Sequence, residues 1–181
     1  MIGVFGWGRR RRCERTGYLL YGAAVAAARA PYLYRDIGVP DNLDGRFDMV
    51  GLHAFLVIRR LQALPAPGPA LAQAVFDAMF SDMDTNLREM GVGDLSVGKR
   101  VRAMWEAFHG RSEAYQAALE AGDAAGLAAV LERNVWRGAA PGDAGALARA
   151  VMAQDRHLSG QGPAALGRGE VAFLMNAAAA A

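Results

Sequence analysis

Cysteine is nearly absent from this 181-residue chain, Cys13 standing alone. A single thiol excludes an internal disulfide framework and any multi-cysteine metal site, and it fits a reducing compartment, by default the cytoplasm. β-Branched residues are scarce too: three Ile (Ile2, Ile37, Ile58) and two Thr (Thr16, Thr85) are few for a sheet-building sequence. With alanine supplying much of the 53% hydrophobic content, the expected class is all-α. No G-x-S-x-G is present, and His53, His109 and His157 stand in no H-x-x-x-H or H-E-x-x-H relation, which leaves nucleophilic and zinc-dependent hydrolysis without a scaffold. No cofactor is expected. A net positive charge is missing from the body of the chain: of a net charge of +2, residues 1–15 hold five Arg against one Glu, and the remainder is net acidic.

What is present reads as one domain, since a chain of this length buries a sizeable core once and rarely twice. The expected organisation is a basic tail over 1–15, a single compact helical domain over 16–176 with about six to seven helices, and an alanine run at 177–181 read as appended sequence without a role. The stretch "GWGRRRRCERTGYLLYGAAVAAARAP" imitates a secretory signal, but its uncharged run from Thr16 to Ala28 is too short to span a bilayer and Arg29 interrupts the cleavage region. It is read as a first helix ending ahead of Pro31. "PYLYRDIGVPDNLDG" follows as a turn-rich connection. A second helix begins close to Asp44, with Phe47, Val50, Ala54, Val57, Ile58 and Leu61 on one face and Met49, Leu52, Phe55 and Leu56 widening it. A helix apolar nearly all round is a central one.

"QALPAPGP" breaks the chain and returns it antiparallel into a third helix over about 70–90, amphipathic, with Val75, Met79, Met83, Leu87 and Met90 opposite Asp77, Asp82, Asp84, Arg88 and Glu89. A fourth starts near Ser96, burying Val101, Met104, Trp105 and Phe108, and shorter helices follow over about 123–136 and 144–157. Between the third and fourth lies "GVGDLSVGKR", which carries Gly93, four residues and Gly98-Lys99 as a phosphate loop would, but ends on Arg100 where Ser or Thr should ligate Mg²⁺. It also follows a helix rather than a strand. The favoured reading is a helix junction, with Gly91 and Gly93 ending one helix, Asp94 or Ser96 capping the next, and Lys99, Arg100 and Arg102 on the exposed side. The acidic helix 77–89 invites a second reading, a metal- or phosphate-dependent ligand binder or enzyme using that helix and the 91–100 loop, but a single aspartate-rich helix supplies only half of such a site. His53 is expected to be a core histidine with a satisfied ring nitrogen. Arg9, Arg10, Arg11 and Arg12 could contact ribosomal RNA or anionic lipid.

Several blocks in order, Gly38-Val39-Pro40-Asp41, Gly45-Arg46-Phe47, Leu52-His53, Asp82-Met83-Asp84 and Leu87-Arg88-Glu89-Met90-Gly91-Val92-Gly93-Asp94, resemble the ubiquinol–cytochrome c chaperone family, the bacterial relatives of the mitochondrial assembly chaperone of respiratory complex III. The likeness runs from about Leu19 to Trp136. It implies an all-helical fold without catalytic activity and a membrane-protein client, cytochrome b, held until haem is inserted, with a small partner subunit and a ribosome contact in the mitochondrial members. DNA is not among the expected partners. On this basis the expected client face lies along the third and fourth helices, with Met79, Met83 and Met90 as adaptable apolar contacts and Asp82, Asp84, Arg88, Glu89, Asp94 and Lys99 as a polar rim. The expected location is the cytoplasm, peripheral at the inner face of the membrane.

Overall fold

The computed structural model describes residues 4–139 and 142–177. Among them are eight α-helices and no strand: α1 (Val4–Ala28), α2 (Pro31–Arg35), α3 (Leu43–Gln62), α4 (Gly68–Glu89), α5 (Asp94–Ala121), α6 (Ala124–Leu131), a π-helical turn (Glu132–Trp136), α7 (Ala144–Ser159) and α8 (Pro163–Gly167). The all-α expectation holds, in one compact domain.

α3 organises the rest. Its N-terminus is fixed by Asn42, whose side chain accepts from the Gly45 N–H at 2.9 Å, the capping that frees a helix of one orphan donor. On one side Ala54, Val57, Ile58 and Leu61 pack with Leu20, Tyr21 and Ala24 of α1 and with Leu71, Val75, Met79 and Met83 of α4. On the other side Met49, Leu52, Phe55 and Leu56 meet Leu33 of α2, Leu127 and Leu131 of α6, Val135 and Trp136 of the π turn, and Leu147 and Val151 of α7. Two apolar clusters thus share one helix, which is why its sequence is apolar almost all round. Each such buried Leu or Val stabilises the fold by roughly 1.5–3 kcal/mol. His53 is buried with them as expected, its Nδ1–H donating to the Met49 carbonyl at 2.8 Å.

Four expectations are corrected. The stretch expected as a basic tail over 1–15 is helical from Val4 onward: α1 runs unbroken from there, because no proline interrupts it before Pro31 and isolated glycines cost a helix only about 1 kcal/mol each. Arg10, Arg11 and Arg12 therefore ride on a helix; the side chain of Arg9 lies outside the described residues. Trp105, expected in the core, is 44% exposed and stacks on His109, ring centroids 5.4 Å apart. α5 is capped by Gly93, with no side-chain cap from Asp94 or Ser96. Finally, Ala177 is fully buried rather than idle, while 178–181 lie outside the described residues.

The strap after α8, residues 168–176, forms no helix. Gln154 of α7 grips it at Leu174, donating to the carbonyl and accepting from the N–H, both at 3.0 Å. Gln161 does the same at Ala172, at 2.6 and 2.9 Å. Phe173 turns inward to His53, 5.6 Å between ring centroids. The backbone N–H and carbonyl of Ala172 and Leu174, which would otherwise need partners from elsewhere, are thereby satisfied by two glutamines.

Candidate functional site

α5 leaves the body as much as it joins it. Of its 28 residues only Val97 and Tyr115 are buried, and between its first half and the α1–α3–α4 layer opens a groove of about 740 Å³. The apolar surface comes from Val25 of α1, Leu43, Phe47 and Val50 of α3, Met83, Leu87 and Met90 of α4, and Met104 and Phe108 of α5. Phe76, Phe80 and Phe108 form an aromatic cluster with centroids 4.7–6.1 Å apart where α4 meets α5, and this packs the two walls together.

Polar groups punctuate this surface. Tyr21 donates its hydroxyl to Asp82 at 2.7 Å; burial, helped by the carboxylate beside it, pushes the phenol pKa above its ordinary value. At the other side Asp48 of α3, nearly enclosed, is paired with Arg111 of α5 and has both oxygens within 3.0 Å of Arg137. Burial raises the Asp48 carboxyl from its ordinary range, and the two guanidinium groups pull it back. Arg137 reaches it from a left-handed backbone conformation, φ 48°, uncommon for a residue with a side chain. The three residues tie α3, α5 and the turn after the π segment at one point. Arg29, Arg46, Glu89 and Arg100 complete the rim.

The residues singled out in the sequence divide over this geometry. Asp82, Met83, Glu89 and Met90 line the groove. Met79 does not: it is fully buried in the α1–α3–α4 cluster. Asp84, Arg88 and Asp94 form an ion-pair chain outside the groove, Arg88 lying 2.6 Å from Asp84 and 2.5 Å from Asp94. That pairing explains the lost cap, since Asp94 turns to a guanidinium instead of its own helix N-terminus. Lys99 is exposed on the far side of the same helix start. In the junction, Gly91 adopts φ +78°, its N–H reaching Arg88 O at 2.9 Å while the Val92 N–H reaches Leu87 O at 3.1 Å. This is the paired closure that glycine gives a helix C-terminus; of the two phosphate-loop glycines, Gly93 is the N-cap of α5 and Gly98 lies inside that helix. The acidic side chains of 77–89 are drawn to separate partners, Asp77 to Gln73, Asp82 to Tyr21 and Asp84 to Arg88. Among the described residues no group of three or more His, Cys, Asp or Glu could hold a metal ion.

Tyr21, Asp48 and Arg111 were not singled out, and Phe47 only as part of a core face and of a family block. A signal existed for Arg111: Arg100, Met104, Phe108, Arg111 and Tyr115 recur at intervals of three and four, a stripe along one face of α5.

The family model described as ubiquinol-cytochrome C chaperone matches residues 35–173. The match begins later than the likeness read from the sequence, which starts at about Leu19, and runs further towards the C-terminus, through α7 and into the strap. Among solved structures, the Cbp3 homolog from Brucella abortus is similar at 35% identity and TM-score 0.83, over 96% of this chain and 97% of that one. No curated protein matches the chain. No helix among the described residues is long and apolar enough to cross a membrane.

Proposed function

Because the chain belongs to the ubiquinol-cytochrome C chaperone family, we propose that it is a non-enzymatic assembly chaperone that holds an apolar helical segment of newly made cytochrome b in the groove between α4 and α5. The observation that carries this reading is the open groove itself, apolar at its base, charged at its rim and walled on one side by a helix with little burial of its own. An amphipathic helix laid into an apolar groove is a recurring mode of recognition, and unbranched methionines such as Met83, Met90 and Met104 adapt to side chains of varied shape. The polar rim would orient the client and let it leave. On this reading the protein acts on the cytoplasmic side of the membrane, as the client emerges.

The test is capture from the native cell. Photocrosslinking from Met90, Ala103 and Met104 is expected to trap cytochrome b, whereas crosslinkers at Leu95, which is 94% exposed and outside the groove, are not. Met104→Asp and Met90→Asp should lower recovery of the client by at least about tenfold, as charges placed against an apolar partner cost several kcal/mol, with the thermal transition of the chaperone unchanged. Normal cytochrome b levels in a deletion strain, together with absence of complex III subunits from the purified protein, would sink the assignment.

A further inference from the structure

The first half of α1 presents a dense, exposed cationic surface. From Thr16 onward the helix buries Thr16, Gly17, Leu20, Tyr21, Ala24 and Ala28, but over 10–15 no side chain is buried and only Cys13 is half-covered. Arg10, Arg11, Arg12 and Arg15 are exposed there, with Glu14 the single acid, 3.1 Å from Arg10. Like charges three and four residues apart, as in Arg12/Arg15 and Arg11/Arg15, weaken a helix, and so do cations placed towards its positive N-terminal end. An anionic surface relieves both penalties. The exposed face does not stop at the arginines: Arg11, Arg15, Tyr18 and Gly22 follow one stripe at helical spacing, with Leu19 beside it, and Tyr18 and Leu19 are 54% and 50% exposed. Arginines continuing into an exposed aromatic and an aliphatic residue are the pattern of a helix lying in a membrane interface, where apolar side chains enter the headgroup boundary and cations meet phosphate. A nucleic-acid strip gains nothing from Leu19.

We propose that this face of α1, from Arg10 to Leu19, docks on the surface of an anionic lipid bilayer. Tyr21, Val25 and Arg29 of the same helix line the client groove, so docking fixes the groove at a set distance from the bilayer. The proposal does not depend on the identity of the client.

Flotation of the full chain with vesicles tests it. The expected result is binding to phosphatidylcholine vesicles containing roughly 30% phosphatidylglycerol and not to phosphatidylcholine alone, weakening as salt rises from about 50 to 500 mM. Replacing Arg10, Arg11, Arg12 and Arg15 by Gln should weaken it on the order of 600-fold, each of the four cations near such a surface being worth roughly a factor of five. Tyr18→Ser with Leu19→Ser should remove the part that survives high salt. Equal binding to the two vesicle types by the native protein, or unchanged binding by the arginine variant, would overturn the proposal. So would tighter binding to a single-stranded RNA than to the anionic vesicles with Tyr18 and Leu19 having no effect.

Discussion

His53 sets the acid limit of the fold. Burial holds its imidazole well below the ordinary 6.5, at about 4, so the folded protein keeps it neutral while the unfolded chain takes up a proton below pH 6.5. Stability from this group is therefore complete above pH 6.5 and is lost as pH falls towards 4, by about 3 kcal/mol in all. Urea unfolding at a series of pH values is expected to show this slope in the native protein and not in His53→Gln, whose amide can still donate to Met49; parallel curves would refute it. Asp48 is the other single residue with wide reach. Asp48→Asn leaves Arg111 and Arg137 facing a neutral group, and because both guanidiniums remain partly in water the expected loss is about 1–3 kcal/mol rather than the larger cost of a fully enclosed pair. The urea midpoint reads it. His53 was legible as a core residue because a polar group in an unbroken apolar run has few other fates. Asp48 was not, since its partners lie 63 and 89 residues away.

At the scale of elements, α1 and α4 approach so closely that Gly17 is required between them. A Cβ there would lie 2.6 Å from the Ala74 backbone, so Gly17→Ala should destabilise by about 1–3 kcal/mol despite alanine's better helix propensity. Gly22, exposed on the same helix with nothing within 4 Å, serves as the contrast: Gly22→Ala should stabilise by about 0.5–1 kcal/mol. Thermal unfolding of the two variants should move in opposite directions. The helices themselves were readable, since α3 and α4 carry a period of 3.6 and breakers bound them. What periodicity cannot supply is which part of an apolar stripe finds a neighbour. Val101, Met104, Trp105 and Phe108 mark a stripe on α5, but α3 and α4 cover only its edge, leaving Trp105 outside and Met104 in an open groove. The strap escaped for a different reason: "EVAFLMNA" has no repeating pattern because its backbone partners are side chains 11 and 20 residues back.

For the whole molecule, two rigid clusters on either side of α3 support one loosely held arm. Amide exchange should follow that division, with residues 98–112 of α5 exchanging faster than 52–61 of α3, because local opening is cheapest where few side chains are buried. A segment seated in the groove should slow exchange along the arm, and equal rates in the free protein would contradict this account of the groove. The C-terminal strap closes the molecule on the opposite cluster, and the manner of its attachment has a consequence for engineering. Gln154 and Gln161 hold main-chain atoms of Leu174 and Ala172, so at exposed Ala172 the strap's own letter is interchangeable with any that keeps its N–H, whereas Leu174 also packs on the core and the glutamines cannot be exchanged. A library randomised at Ala172 should return many folded sequences, and one randomised at Gln154 and Gln161 should return few.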